Sequence, residues 1–341
     1  MKAAVQEQPK QPMVIKDVAD PAPEAGEVLI KVQAAGVCHT DLHIAGGDFA
    51  GFGYDPFPLI MGHEIAGEVE QLGDGVSDLK QGDRVGVHFV LACGKCPSCQ
   101  MGEEETCFDF LSGFAGVGWT IDGGYAEYVQ VPAARVIPLP QALDFVDAAP
   151  LCCAGLTMYA GFKNAGLQAG QRVAVLGIGG LGHLAIPIAK AMGAEVVAIT
   201  STESKGGLAK QLGAHDVISG AVAESGQKLM EMGGANIVLS TTINPEAIVP
   251  TMKGLLPQGT LVLTGVTMES LPIVPTMLIV PQHRVIGSAS GSSQEQRELL
   301  QLAVDHKIRP MTETFPLEEV NAVHDRLRAN QVRFRAVLTA S

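Results

Sequence analysis

The chain is expected to be an α/β protein in two parts, an irregular strand-rich domain followed by a doubly wound parallel sheet, and three observations carry this expectation. Its 341 residues correspond to two domains at about 100 to 200 residues each. Up to about Pro140 the pattern is of short β-branched runs broken by Gly, Pro and Asp. From Gln171 to about Gly291 apolar strands alternate with helical stretches, spaced as in successive βαβ units.

In chain order, Glu27–Val32, Ile65–Val69 and Arg84–Val90 read as strands of the first part. Asp144 to about Lys163 carries apolar residues at helical spacing with Pro150 as its only proline, which predicts one or two helices leading out of that domain and a boundary within them. RVAVLGIG, AEVVAIT, HDVIS, ANIVLST, GTLVLTG and RVIGSA then supply the strands of the parallel sheet. The tail from Gln294 reads as helix EQRELLQLAVDHK, loop, helix LEEVNAVHDRLRA and a last strand, RFRAVL, free to rejoin the first domain.

Composition removes several classes of function. Lys+Arg 23 against Asp+Glu 36 gives a formal net charge of -13, the wrong sign for attracting nucleic-acid phosphates or an anionic membrane surface. With 47% hydrophobic and 17% charged residues, the chain has the apolar material that a disordered segment lacks. Glycine stands at 40 residues where average usage gives about 24, which favours turns and a phosphate-binding loop. The opening MKAAVQEQPKQP has neither the apolar stretch nor the cleavage site of a secretory signal, so a cytoplasmic chain is expected. The longest uncharged run, Val173–Ala189, contains glycines and Pro187 and falls short of the ~20 residues of a spanning helix, so no membrane segment is expected. Seven cysteines are too few for a disulfide scaffold and point to metal binding or catalysis.

Cys93, Cys96, Cys99 and Cys107 follow C-x2-C-x2-C-x7-C, a spacing that lets thiolates of one loop converge tetrahedrally on one zinc. Disulfides and an iron–sulfur cluster are the other readings of such a set. A nucleic-acid zinc ribbon fits poorly, because the loop carries Glu103, Glu104 and Glu105 against Lys95 as its single base. A zinc closed by four thiolates staples the loop and leaves no position for chemistry. Cys38, Cys152 and Cys153, with the histidines of GVCHTDLH (Gly36 to His43) and GHE (Gly62 to Glu64), are unspecific when taken singly, since a buried Cys or His is more often plain core. Gly177, Gly179 and Gly182 form G-x-G-x-x-G, with Gly180 and Leu181 between, after an apolar strand and ahead of a helical run. That context lets backbone approach a pyrophosphate at a helix N-terminus. Pro187, inside the expected helix, predicts a lost hydrogen bond and a bend.

Taken in order, GVCHTDLH, GHE, the four-cysteine lobe, CAGLT (Cys153 to Thr157) and the glycine turn resemble the zinc-dependent medium-chain alcohol dehydrogenases, in their cinnamyl-alcohol-type and bacterial branch, over essentially the whole chain. The resemblance implies a GroES-like catalytic domain over 1–154, a Rossmann domain over 155–288 and a return to the first domain over 289–341. It implies two zincs per chain. Cys38, His63 and Cys153 would be the protein ligands of the catalytic one, with a water or substrate oxygen in the fourth position. Cys152 is the alternative to Cys153; Glu64 flanks the metal, and Asp41 would hold the far nitrogen of His63.

The resemblance also implies the reaction, interconversion of alcohols with aldehydes or ketones by hydride transfer to or from NAD(P). Thr40, through the cofactor ribose, and His43 would relay the proton. His39 is assigned to the pyrophosphate, Thr157 to the nicotinamide ring, and Thr241, Gly265, Val266, Ser288, Ala289 and Ser290 to the length of the cofactor. Arg335 is assigned to a phosphate across the interdomain cleft. Where NAD-specific forms carry an acid about 20 residues beyond the glycine turn, this sequence has Thr200, Ser201 and, in the same loop, Lys205. NADP is therefore expected to be preferred and NAD possible, with Glu203 opposing. Substrates are expected to be small to medium and apolar or aromatic, met by some of Phe49, Phe52, Tyr54, Phe57, Phe89 and Trp119. A polyol dehydrogenase and a non-catalytic NADPH-binding protein are the alternatives, and a homodimer or homotetramer is expected.

Overall fold

The computed structural model describes residues 1–339. They form two compact units, Met1–Ala154 with Ser292–Val304 and the segment from Arg309 on, and Gly155–Gly291 with Asp305–Ile308. The strands of the first unit begin with β1 (Lys2–Gln6), β2 (Val14–Asp17), β3 (Glu27–Val37) and β4 (Leu59–Ile60). They continue with β5 (Glu64–Leu72), β6 (Arg84–Val87), β7 (Tyr128–Pro132) and β8 (Val136–Pro138). The second unit holds β9 (Arg172–Leu176), β10 (Glu195–Thr200), β11 (Asp216–Ser219), β12 (Ala235–Ser240), β13 (Leu255–Leu263) and β14 (Arg284–Gly287). β15 (Thr312–Pro316) and β16 (Arg335–Thr339) return the chain to the first unit.

β3 organises the first unit. In the larger sheet the order is β15-β16-β3-β5-β6-β8, with β7 also on β3, while β2-β1-β4 form a separate small sheet. Antiparallel pairing sets Gly36 opposite Glu64 and Ala336 opposite Val37, so β16, β3 and β5 deliver their ends to one place. Ile30, Val32, Val37, Ile65, Val85 and Val87 are buried in the core of this unit.

In the second unit the order is β11-β10-β9-β12-β13-β14, with every pairing parallel. Each of the six apolar runs read from the sequence supplies one of these strands. The central strands β10, β9, β12 and β13 are buried on both faces, which explains why they read as continuous Val/Ile/Leu runs, not as alternating ones. The order reverses between β9 and β12, which opens a crevice beyond the carboxyl ends of those strands, the usual ligand position in such sheets.

Pro187 lies inside a helix as the sequence predicts, and two local features, a π-helical turn and β15, were not read from the sequence. The helix Gly182–Ala191 continues through Pro187, although proline withdraws a donor there. The segment Phe145–Asn164 is helical throughout, but a π-helical turn, Leu151–Gly155, follows Pro150. A missing N–H and a widened turn go together, and such turns recur at functional sites. β15 (TETFP) has Phe315 as its single large apolar residue and so no apolar alternation to announce it; its Pro316 is tolerated because the strand lies at the sheet edge. Phe145–Asn164 is also the one helix among the described residues long and apolar enough to cross a membrane, and with 78% of its most apolar window buried it reads as a core helix.

Candidate active site

β3 ends at Val37, and Cys38 caps the helix His39–Gly46 that follows. Asp41, the third helical residue, reaches back so that its Oδ2 accepts the Cys38 N–H at 2.8 Å, half of a capping box. Its other oxygen, Oδ1, lies 3.1 Å from His63 Nδ1. His63 and Glu64 lead into β5, and Cys153 sits in the π-helical turn. One donor atom from each of Cys38, His63, Glu64 and Cys153 lies within 4.8 Å of the others. Cys152 is outside this group: its Sγ is 3.4 Å from the Ala148 carbonyl oxygen and 3.7 Å from that of Ile65.

The donor set fits a zinc. His63 and Glu64 are fully buried, yet His63 Nε2 and Glu64 Oε2 have no hydrogen-bond partner. A buried polar atom left that way costs about 1–3 kcal/mol, whereas a cation supplied to two sulfurs and an imidazole satisfies the nitrogen. Hydrogen bonding with Cys153, helped by the charges of His63 and Arg335, holds the Cys38 thiol well below its ordinary range despite burial. Such a thiolate is ready to ligate. Burial pushes the Glu64 carboxyl up to about 7 even though the Arg335 guanidinium is bonded to its Oε1. Arg335, assigned above to a cofactor phosphate, thus lies buried on Glu64, because β16 runs beside β3.

Thr40 and His43 lie three residues apart and so share a helix face. Cys38 Sγ is 3.7 Å from Thr40 Oγ1, which puts Thr40 at the donor cluster. One turn on, His43 Nδ1 is 2.7 Å from Asp48 Oδ2. Asp48 was not legible as a partner, since nothing in GVCHTDLH points beyond the helix. His39, at the first helical position, is exposed.

Aromatic rings wall the cluster. Phe89 and Trp119 stand edge-on to the His63 ring at 5.2 and 5.6 Å between centroids. Phe110 stacks on Trp119 at 5.5 Å. Phe49, Tyr54 and Phe114 form a second group, and a cavity of about 290 Å³ opens between Phe52, Tyr54, Asp55, Phe114 and Thr120. Phe57 packs against the core and Phe52 is mostly exposed.

The four-cysteine lobe holds its thiols within 4.8 Å of one another. All seven cysteines are free, which removes the disulfide reading. The lobe's own backbone prepares the site. The N–H of Cys93 points to Cys107 Sγ and that of Cys96 to Cys93 Sγ, both at 3.3 Å. Backbone N–H groups of Cys99 and Phe108 draw the Cys96 thiol down to about 6. Glu104 ties the lobe to its surroundings by accepting from Arg135 Nη1 and from the Ser293 N–H, each at 2.8 Å. Against the cost of burial, those two partners hold the Glu104 carboxyl below its ordinary range.

In the second unit the remaining sequence-predicted residues gather at the carboxyl ends of the strands. Gly177, Gly179, Gly180 and Leu181 join β9 to the helix that begins at Gly182. A Cβ on Gly182 would sit 1.9 Å from the Gly177 carbonyl oxygen, so only glycine permits this turn. Thr241, after β12, donates to the carbonyl oxygens of Leu176 and Gly177 at 3.1 Å. Beyond β10, Thr200 is buried and accepts from the Thr202 N–H at 3.2 Å, Ser201 is exposed, and Lys205 Nζ reaches back to the Ile178 carbonyl at 3.1 Å. Gly265 and Val266 follow β13, with Val266 exposed. After β14, Thr157 Oγ1 donates to Ala289 O at 3.0 Å and Ser290 Oγ is buried without a partner. Ser288 Oγ accepts from Asn164 Nδ2 at 3.2 Å; Asn164 carries no motif that would have singled it out.

Comparison with known proteins agrees with the fold and points to one family. Residues 24–141 match the alcohol dehydrogenase GroES-like domain and residues 180–305 the zinc-binding dehydrogenase family. An alcohol dehydrogenase of Geobacillus stearothermophilus is 41% identical over 341 residues, 99% of each chain. A probable cinnamyl alcohol dehydrogenase 6 of Arabidopsis thaliana is 35% identical over 92% of this chain and 87% of its own length. Among solved structures, the alcohol dehydrogenase of the archaeon Aeropyrum pernix superposes with a TM-score of 0.88 at 34% identity, covering 99% of this chain and 100% of that one.

Proposed function

The chain belongs to the zinc-dependent medium-chain alcohol dehydrogenases, and from that premise we propose that it interconverts compact apolar or aromatic alcohols and their carbonyl counterparts with NADP as the preferred cofactor. Cys38, His63 and Cys153 would hold the catalytic zinc with Glu64 beside it, and Cys93, Cys96, Cys99 and Cys107 the structural one. When bound, zinc supplies a Lewis acid for the substrate oxygen and the nicotinamide a hydride donor or acceptor.

The protein's own groups do the rest. Asp41 fixes the tautomer and orientation of His63 by taking its Nδ1 proton in a hydrogen bond. Phe89 and Trp119 exclude water from the His63 side and offer a flat apolar surface to the substrate's carbon skeleton. Thr40 Oγ1, beside Cys38, would take the hydroxyl proton of an alcohol as it passes its own on through the cofactor ribose toward His43, which, one turn on and held by Asp48, is the titratable end of the path to water.

The observation that carries the cofactor reading is the loop after β10. It ends the strand on Thr200 instead of a carboxylate and lays the Lys205 ammonium against the glycine turn. Hydroxyls and a cation there suit a 2′-phosphate, and a ribose-binding acid is missing. Glu203 is exposed at the start of the helix Ser204–Gln211. Initial rates on a panel of small aldehydes, with NADPH and NADH side by side, test the reading. NADPH is expected to give the higher kcat/KM, and Lys205→Ala to lower it about tenfold, the size of one lost charged hydrogen bond, while leaving NADH little changed. A higher kcat/KM with NADH overturns the cofactor preference and leaves the zinc ligands untouched.

A further inference from the structure

The Asp41 carboxylate is completely buried, and a buried charge has to be met by donors. Two come from groups already named, the Cys38 N–H and His63 Nδ1. The third is the hydroxyl of Tyr125, which donates to Asp41 Oδ2 at 2.8 Å. Tyr125 lies outside every motif of the sequence and is itself fully buried. Its position is fixed at both ends: its N–H donates to the Met61 carbonyl at 3.0 Å, and its own carbonyl accepts from the Ala4 N–H at 2.8 Å. The ring runs directly against Gly62, the residue before His63. A Cβ there would stand 2.3 Å from Tyr125 Cδ1 and 2.6 Å from Cε1, and Gly62 has a φ of +91. The glycine of the GHE stretch is therefore demanded by backbone conformation and by the tyrosine together. Behind the ring, His324 packs edge-on at 6.1 Å.

We propose that Tyr125 is a positioning residue for the catalytic metal, setting the plane of the Asp41 carboxylate so that Oδ1 is presented to His63 Nδ1 and Nε2 faces Cys38 and Cys153. This rests on reading Cys38, His63 and Cys153 as zinc ligands. A tyrosine hydroxyl is a donor across the neutral range. With its donation gone, Oδ2 keeps only the Cys38 N–H, and the plane of the carboxylate is held by two donors instead of three. Groups that orient a ligand from outside typically contribute 10–100-fold to metal affinity, and one step further out Tyr125 is expected to contribute about tenfold.

The experiment is a chelator competition on the zinc-loaded chain, reading zinc per chain, in the wild type, Tyr125→Phe, Asp41→Ala and the double variant. Phenylalanine keeps the ring against Gly62 and removes one oxygen. Tyr125→Phe is expected to release the catalytic zinc at about tenfold lower chelator while the four-cysteine zinc is retained. In the Asp41→Ala background, where no buried carboxylate is left exposed to the change, the same substitution is expected to add nothing. An unchanged release point in Tyr125→Phe overturns the inference, and so does an equal drop in both backgrounds, which would mark a general packing loss. Should the zinc-saturated wild type hold a single zinc, and Cys38→Ser the same one, the ligand reading itself falls and takes this inference with it.

Discussion

Cys93, Cys96, Cys99 and Cys107 come from one loop, whereas Cys38, His63, Glu64 and Cys153 come from three separate stretches of chain, yet each group brings its donor atoms within 4.8 Å of one another. The loop group is partly exposed and is prepared by its own backbone N–H groups. The other is buried except at Cys38, and charged or polar side chains prepare it: Asp41 from the turn that follows Cys38, and Arg335 and Tyr125 from distant segments. A local knot needs little from the fold and gives little but stability. A site assembled by β3, β5 and β16 uses the whole domain, and its burial is what leaves His63 Nε2 in need of a cation and the Glu64 carboxyl near neutrality.

The sharpest way to break this contrast is to remove one thiol from each group. Cys38→Ser should lose one zinc per chain by metal analysis and cut turnover by more than about a hundredfold, since even orienting groups carry up to that much; a variant with normal turnover would show the buried group to be dispensable. Cys96→Ser should lose the other zinc and more than about 3 kcal/mol of unfolding free energy, as metal loss belongs to the large class of effects. Its turnover per folded molecule should stay within a few-fold of normal. Equal losses of turnover in the two variants would erase the distinction.

Glu104→Gln is the smallest of the three perturbations and tests how the lobe is fastened. The folded carboxyl lies below its ordinary range, so its bonds with Ser293 and Arg135 stabilise the fold above the unfolded pKa, about 4.3, and the contribution is lost as pH falls through the lower folded value. Urea unfolding at pH 7 should register a cost of about 2 kcal/mol for the variant, and the gap to wild type should close toward pH 3. A gap of constant size would show that the loss does not come from the charge of the carboxylate.

What could be read from the sequence follows the same division. The six parallel strands announce themselves as unbroken apolar runs, and the four cysteines by spacing alone, because both signals are local. The ligand triad emerged only through the order of motifs along the chain. What sequence did not reveal is long-range: Tyr125 meets Asp41 from 84 positions away and Arg335 meets Glu64 from 271. β15 lacked an apolar alternation, and the π-helical turn carrying Cys153 differs from an α-helix in hydrogen-bond register and not in composition. Asp48 and Asn164 are ordinary loop and helix-end polar residues until the fold gives them His43 and Ser288.

Phe110 belongs to the helix that starts one residue after Cys107, and it lies flat on Trp119, whose ring in turn meets His63. The four-cysteine loop is therefore the backing of one aromatic wall of the buried donor cluster, so that whatever fastens the loop also steadies, through two stacked rings, the face presented to His63.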